Sequence, residues 1–271
     1  MSTRIVSVER AGGGAGREQA DDAVAIEEPL DIRVDDETLA ITMRTPGHDR
    51  ELVLGFLVSE GIIRSRDDVS ALANCGRPGD PGYANTIAVT LGPGAEVAAS
   101  ERVRRGTLTS SACGVCGRKS VADLLERLPR RGSAPALAAG VIVRAVAGLR
   151  DRQPIFDRTG GVHAASLLDF DGQALATFED VGRHNAVDKV VGSQLLAGTL
   201  GQEGERRLLV VSGRSSFEIV QKALMAGFDA VASVSAPSSL AVDLANEGGL
   251  ILAGFVRGER LVVYAGASRV T

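Results

Sequence analysis

Two cysteines separated by two residues carry the clearest chemical signal in the sequence. Cys113 and Cys116 lie in the segment SSACGVCG, whose glycines give the backbone freedom to present a sulfur atom. A thiolate is the reactive form of cysteine, and both the predicted helix and the basic residues that follow favour it. The pair therefore indicates reactive thiols, with half of a structural zinc site and an inert pair as the alternatives.

The zinc alternative needs two further ligands. The remaining candidates are Cys75, His48, His163 and His184, and none of them forms a second paired spacing. The sequence also lacks the H-x-E and P-C-x-x-C motifs of zinc-dependent nucleobase deaminases. A thioredoxin-type pair would open a helix directly after an early strand, whereas this pair lies in the middle of the chain. We therefore predict no bound metal, and dithiol–disulfide exchange stays open as an alternative chemistry.

A second candidate site follows a continuous apolar segment, Leu208 to Val211. The loop after it consists of Ser212, Gly213, Arg214 and Ser215, and a helix is predicted to begin directly afterwards. Backbone N–H groups at the start of a helix, with hydroxyls and an arginine beside them, bind anions. Serines at this position are also ordinary helix caps. The spacing is typical of both an anion site and a plain cap.

A third segment, GFVRGER, places two arginines around a glycine between two predicted strands. Arg257 and Arg260 are solvated side chains if this is an ordinary hairpin, and a charged clamp if a phosphate lies beside them. Two histidines also lie shortly after glycines, His163 in TGGVH and His184 in EDVGRHN. Asp180 or Asn185 would cap a helix, whereas Arg183 and both histidines stay open between structural and functional roles.

The elements that position these residues divide the chain into four segments. We predict a disordered tail over residues 1–23, a small α+β domain over 24–105, a mobile C-x-x-C loop over 106–120 and an α/β domain over 121–271. The tail prediction rests on its glycine-rich stretch. In the last segment, unbroken apolar strands alternate with helices, which is typical of a sheet covered on both faces. The fold class is therefore α/β, with a three-layer main domain.

Composition excludes several functions. The chain has 271 residues, 44% of them hydrophobic, with a net charge of −4 and few aromatic residues. No global basic charge attracts nucleic acid or an anionic membrane, and no apolar run approaches the length of a membrane helix. The N-terminus lacks the pattern of a secretory signal, so we expect a cytoplasmic protein.

Six segments, in this order, resemble the FdhD family of formate dehydrogenase accessory proteins. They are SSACGVCG, TGGVHAAS, EDVGRHNAVDK, SGRSSFEIVQKA, VSAPSSLAVDLA and GFVRGERLVVY, and the resemblance covers roughly residues 25 to 266. It implies a sulfurtransferase that receives sulfur from a cysteine desulfurase as a persulfide, with Cys113 as the carrier. It implies delivery of that sulfur to molybdenum in the bis(molybdopterin guanine dinucleotide) cofactor, which is bound transiently as a substrate, for apo-formate dehydrogenase.

The resemblance also implies a site and a fold. The family's cofactor-binding stretch corresponds to Phe255, Val256, Arg257, Gly258, Glu259 and Arg260. The implied fold is cytidine-deaminase-like without deaminase zinc chemistry, and the implied assembly is a homodimer. Neither the residues nor the resemblance assigns a role to Cys116.

Overall fold

The computed structural model of the protein describes residues 2–12, 15–77, 79, 83–93, 109–110, 136–202 and 204–271. Within these residues the chain forms a six-stranded sheet, a five-stranded sheet, a two-stranded hairpin and six α-helices. The strands are β1 Thr3–Gly12, β2 Ala15–Ala25, β3 Glu28–Val34, β4 Glu37–Arg44, β5 Val69–Asn74, β6 Thr86–Leu91, β7 Thr109–Ser110, β8 His163–Asp169, β9 Ala174–Asp180, β10 Arg207–Val211, β11 Ala230–Ser233, β12 Ile251–Arg257 and β13 Arg260–Ala265. The helices are α1 Asp49–Ser59, α2 Ala139–Ala147, α3 Pro154–Thr159, α4 Arg183–Ala197, α5 Phe217–Met225 and α6 Ser239–Glu247.

The six-stranded sheet has the order β13-β12-β11-β10-β8-β9. The three central strands β10, β11 and β12 are parallel, because helices α5 and α6 return the chain between them. The flanking strands β8 and β13 run antiparallel to their neighbours. The alternation of strands and helices predicted for the last 110 residues is confirmed, and the fold is mixed α/β.

Helices cover both faces of this sheet. Leu208 and Val210 of β10 belong to one apolar cluster with α2, whereas Leu209 and Val211 belong to a larger cluster with α1, α4, α5 and α6. Successive side chains of a strand point to opposite faces, so a strand buried on both sides must be apolar throughout. This explains the unbroken run of apolar residues in β10.

The five-stranded sheet has the order β5-β6-β3-β4-β7 and contains the hairpin formed by β3 and β4. Its turn lies at Asp35 and Asp36, whose φ angles of 48° and 68° are those of the tight turn that matches strand twist. The edge strand β5 was not predicted, because most of its side chains are exposed and show no apolar alternation. At the other edge, β7 pairs in parallel with β4, with Ser110 opposite Ile41.

Two glycines bring α1 and α4 into unusually close contact. A Cβ atom added to Gly55 of α1 would lie 1.8 Å from the carbonyl oxygen of Asp188 in α4. A Cβ atom added to Gly192 of α4 would lie 1.9 Å from the carbonyl oxygen of Glu51 in α1. The backbones therefore touch at two points, each of which requires glycine.

The N-terminal residues differ from the prediction of a disordered tail over 1–23. Strands β1 and β2 pair antiparallel from Thr3↔Ala25 to Gly12↔Ala15. The β-branched residues Ile5, Val6 and Val8 favour a strand, and Gly12 lies at the closed end of the hairpin. The prediction was wrong because it took glycine as a sign of disorder rather than of a hairpin end.

Residues 24–105 and 121–271, which were predicted as separate domains, share one apolar core. One apolar cluster contains side chains of the small sheet, such as Ile32, and of the large sheet, such as Val231. The domain boundaries stay a prediction, and most of the C-x-x-C loop at 106–120 lies outside the described residues. Among the described helices, none is long and apolar enough to cross a membrane.

Candidate functional site

The predicted thiol site cannot be compared with the structure. Cys113 and Cys116 lie outside the described residues, and the nearest described residue in the sequence is Ser110, at the end of β7. Cys75, at the end of β5, is a free and half-buried thiol. Within the described ranges, no group of three or more His, Cys, Asp or Glu side chains is arranged to hold a metal ion.

The two predicted ligand-binding stretches lie at one edge of the six-stranded sheet. The carboxyl ends of the parallel strands β10, β11 and β12 meet at this edge, which is where open α/β sheets bind ligands. Both stretches border the loop after β11. The amide of Ser238 in that loop donates to the carbonyl of Ser215 at 3.1 Å, and the amide of Phe255 donates to the carbonyl of Ser235 at 3.1 Å.

A hydrogen bond to β8 fixes the start of the loop from Ser212 to Ser215, and the loop leads into α5. The amide of Ala164 in β8 donates to the Ser212 hydroxyl at 2.9 Å, so that hydroxyl ties β8 to the end of β10. Ser216 occupies the N-cap position of α5, but its side chain makes no capping hydrogen bond. Ser215 is fully buried, and its hydroxyl has no hydrogen-bond partner among the described residues. The plain-cap interpretation therefore does not account for these serines.

Both histidines of the sequence analysis lie beside this loop. A Cβ atom added to Gly213 would lie 3.4 Å from His163 Nδ1 and 3.8 Å from Cδ of Arg183. His184 Nε2 lies 2.7 Å from Glu218 Oε2 and 3.3 Å from the Ser216 hydroxyl. The long-range pairing of β8 with β10 produces this arrangement, and no local pattern in the sequence predicts it.

The surroundings of the His163 ring lower its pKa. Burial lowers its pKa most, and the positive charge of Arg183 and the nearby His184 lower it further, against an opposing effect of Asp180. Nε of Arg183 is itself buried and has no acceptor in the described part of the structure. Arg183 is the residue of this edge whose role sequence reasoning left open. The cluster of polar residues in the motif EDVGRHN was the sequence signal that could have indicated a role for Arg183.

The other polar residues of that motif are structural. Both carboxylate oxygens of Glu179 accept hydrogen bonds at 2.8 Å, from the amides of Ile155 and Phe156 at the start of α3. Asp180 accepts from the amide of Gly182 at 2.8 Å and from the Asn185 side chain at 3.0 Å. These bonds fix the start of α4, and Arg183 and His184 are left to face the sheet edge.

A cavity of about 530 Å³ opens at the same edge. His163, Ser212, Arg150 and Gln153 supply polar groups to it, and Gly160 and Gly161 also line it. Apolar walls come from α2, from α3 and from Val234 in the loop after β11. This volume falls within the range of small-molecule sites, and a few polar groups among apolar walls are typical of them.

The predicted stretch Phe255 to Arg260 forms the end of the β12–β13 hairpin. Phe255 is 43% exposed and has a φ of 49°, a strained conformation for a residue with a side chain. Val256 is buried, Gly258 turns the chain with a φ of 55°, and Glu259 follows it. Arg257 and Arg260 pair across the hairpin and are exposed. β12 pairs with β11 only as far as Ala253, so Arg257 lies four residues further along its strand.

The fold is that of a mixed α/β protein whose polar loops lie at the carboxyl ends of the parallel strands of its main sheet. The model of the FdhD/NarQ family matches residues 25–271. The chain belongs to the FdhD/NarQ family.

Relatives and a solved structure agree with this assignment. The sulfur carrier protein FdhD of Anaeromyxobacter dehalogenans strain 2CP-1 is 52% identical over 265 residues, which are 95% of this chain and 90% of that protein. The sulfur carrier protein FdhD of Nocardia farcinica is 46% identical over 259 residues, 94% of this chain and 91% of that protein. A crystal structure from Desulfotalea psychrophila, of a candidate formate dehydrogenase accessory protein, superposes with a TM-score of 0.76 at 25% identity and covers 100% of both chains.

Proposed function

We propose that the protein is a sulfur carrier that serves formate dehydrogenase and acts as a sulfurtransferase. It receives a persulfide sulfur from a cysteine desulfurase and delivers it to molybdenum in the bis(molybdopterin guanine dinucleotide) cofactor. The observation that carries this proposal is the name of its relatives, sulfur carrier protein FdhD, at 45–53% identity. Cys113 and Cys116 supply the thiols that such a carrier needs.

The first step is an exchange between a thiolate and a persulfide. The Cys113 thiolate attacks the outer sulfur of the desulfurase persulfide, and a new S–S bond forms on Cys113 while the donor's S–S bond breaks. The donor cysteine leaves as a thiolate, so no oxidant is consumed. Release of the sulfur as sulfide needs two electrons, and the Cys116 thiol supplies them by forming a disulfide with Cys113. An external thiol can replace Cys116 in this step.

The cofactor is a transient substrate in this proposal, and the carboxyl edge of the main sheet is where we propose that it binds. Ser212 to Ser215 and Phe255 to Arg260 border the same loop there, and a cofactor with guanosine diphosphate groups needs phosphate contacts of this kind. The recipient is apo-formate dehydrogenase.

We assign the six-stranded sheet with helices on both faces to the cytidine-deaminase-like type, with the helix-covered parallel core as support. We also propose a cytoplasmic homodimer that binds neither nucleic acid nor membrane.

Mass spectrometry tests the sulfur-carrier proposal directly. After incubation with a cysteine desulfurase and cysteine, the protein should gain the mass of one sulfur atom on the peptide that contains Cys113. Cys113→Ser should abolish the gain, whereas the matched variant Cys75→Ser, which removes a free thiol directly after β5, should retain it. No gain on wild-type protein would refute persulfide formation.

The alternative is a dithiol–disulfide oxidoreductase that uses the same pair. Such an enzyme would need both thiols equally and would reduce a disulfide substrate without any desulfurase. Turnover of a model disulfide that is lost in both Cys113→Ser and Cys116→Ser, without a sulfur gain, would favour it.

A further inference from the structure

We infer that the outer face of strand β4 is the docking surface for the protein that delivers sulfur to Cys113. This outer β4 face consists of Ile41 and Met43, with Pro29 of β3 beside them. Its occupant is a protein that carries a cysteine persulfide, and the inference rests on the proposed function for that occupant. It gives the small sheet a role of its own, separate from the ligand edge of the large sheet.

Ile41 and Met43 expose apolar surface on one side of β4. They are 52% and 39% exposed, and because they lie two residues apart, both side chains leave the sheet on the same side. The register places Pro29, which is also exposed, opposite Met43. In the described part of the chain, no two of the other exposed large apolar side chains share a strand. The outer β4 face is therefore an apolar cluster rather than a single exposed side chain.

The opposite face of β4 is closed to a partner. The Thr42 hydroxyl donates to the Asn185 side chain of α4 at 3.2 Å. Arg44 is fully buried, and its Nε donates to Asp49 of α1 at 2.9 Å. Because α1 and α4 cover this face, a protein can approach β4 only from its outer face or from the sheet edge beside β7.

Strand β7 connects the outer β4 face to Cys113. Ser110 pairs with Ile41, and neighbouring strands lie about 4.8 Å apart. Cys113 follows Ser110 by three residues, and consecutive Cα atoms are about 3.8 Å apart, so its Cα atom lies within about 11 Å of that of Ser110. The chain therefore holds the Cα atom of Cys113 within about 16 Å of that of Ile41.

A protein that reaches Cys113 covers a surface of this extent. The exchange forms a new S–S bond, so the donor must come into contact with Cys113. A stable protein–protein interface buries about 800 Å² on each partner, and a disc of that area has a radius of about 16 Å. An interface centred on Cys113 thus extends to Ile41.

The residues around Ile41 have the arrangement of an interface. Interfaces combine an apolar centre with a polar rim. Asp31 pairs with Ile41 across the strands and forms an ion pair with Arg33 at 2.7 Å. This pair supplies charges beside the apolar cluster, as a rim does.

Single-turnover transfer from a preloaded donor tests the inference. A cysteine desulfurase is loaded with persulfide, freed of cysteine and mixed with the full-length protein, and mass spectrometry follows the gain of one sulfur on the peptide with Cys113. Below donor saturation, Ile41→Asp and Met43→Asp should each slow the transfer by about 10-fold or more, since the contact would desolvate a charge without a partner. Saturating donor should restore most of the wild-type rate, because docking and not exchange is impaired. Ile41→Lys should slow the transfer as well, because either charge disrupts an apolar contact.

Two controls separate docking from other effects. Glutathione persulfide needs no docking surface, so it should load Cys113 of every variant at the wild-type rate. Leu175→Asp makes the same change on β9, at a side chain that is 39% exposed, as Met43 is. It should accept sulfur from the desulfurase like wild type.

The inference is overturned if Ile41→Asp and Met43→Asp accept sulfur from the desulfurase at the wild-type rate, or if glutathione persulfide also loads them slowly. It is overturned as well if Leu175→Asp slows the transfer equally, or if Ile41→Lys speeds it up. A changed number of chains per assembly in these variants, measured by light scattering, would assign the face to a second copy and likewise overturn it. Wild-type protein that gains sulfur from neither donor would refute the sulfur-carrier proposal itself, whereas undisturbed variants beside a loaded wild type refute only the docking surface.

Discussion

Lys189 and Asp180 form an ion pair in which both side chains are buried. Nζ of Lys189 lies 2.8 Å from Oδ2 of Asp180, and the two side chains are 2% and 0% exposed. Both residues also bind the chain after β4, because Asp180 accepts from the amide of Thr45 at 3.2 Å and Lys189 donates to its carbonyl at 3.0 Å. This pair therefore joins the end of β9 and helix α4 to the small sheet.

Removal of one partner of this pair should destabilise the protein strongly. Lys189→Met leaves the Asp180 carboxylate buried without its cation, and such changes cost about 3–5 kcal/mol of unfolding free energy. Urea denaturation monitored by circular dichroism measures the loss. Arg17→Met, which removes the cation of the exposed pair with Glu9, should cost less than about 0.5 kcal/mol. A Lys189→Met variant as stable as Arg17→Met would contradict this account.

The pKa of His163 predicts a pH dependence of stability. Burial, Arg183 and His184 hold the native pKa below the ordinary value of about 6.5, with Asp180 acting in the opposite direction. Between the native and the ordinary pKa the unfolded chain binds the extra proton, so stability rises with pH and is lost as the pH falls below about 6.5. His163→Asn should flatten the slope of melting temperature against pH between about pH 5 and 7. An unchanged slope in the His163→Asn variant would contradict this account.

The contact between α1 and α4 should not tolerate a methyl group. Gly192→Ala places a Cβ atom within 1.9 Å of the Glu51 carbonyl and forces the helices apart. We expect a loss of about 3 kcal/mol or more, at the upper end of overpacking effects. Gly16→Ala, where a Cβ atom meets nothing within 4 Å, is the matched control for chemical denaturation. Equal stability of the two variants would show that the helices separate without cost.

The three cysteines should differ in their effect on formate dehydrogenase. In a strain that lacks the wild-type gene, Cys113→Ala should abolish enzyme activation, because the sulfur acceptor is missing. Cys116→Ala should reduce activation less, since other thiols can release the sulfur. Cys75→Ala should activate like wild type. Near-full activation by Cys113→Ala, measured as formate oxidation in cell extract, would exclude a persulfide relay through this residue.

Local patterns predicted most of the large sheet. The apolar run from Leu208 to Val211 and the helical spacing of Phe217, Val220 and Leu224 each gave an element within one or two residues of its observed bounds. These patterns work because a strand buried on both faces and a helix buried on one face have different periods. The N-terminal hairpin was not predicted, because glycine-rich turns and disordered tails have similar compositions.

Only the individual residues of the candidate site could be predicted, because long-range strand pairing brings them together. Ser212, His163 and His184 were singled out individually, each from its own neighbours in the sequence. Their proximity depends on the antiparallel register of β8 and β10, which places Ala165 opposite Val211. Register across 46 residues is a property of the whole packed sheet, so the distance between Gly213 and His163 could not be inferred.

The backbone contact of Gly55 with Asp188 makes the two sheets a single mechanical body. A hinge between them would have to separate a pair of helices that touch at their main chains, which no rotation of side chains can accommodate. A displacement of the small sheet should therefore move the large sheet with it. Hydrogen exchange should therefore find the amides of α1 and α4 opening together.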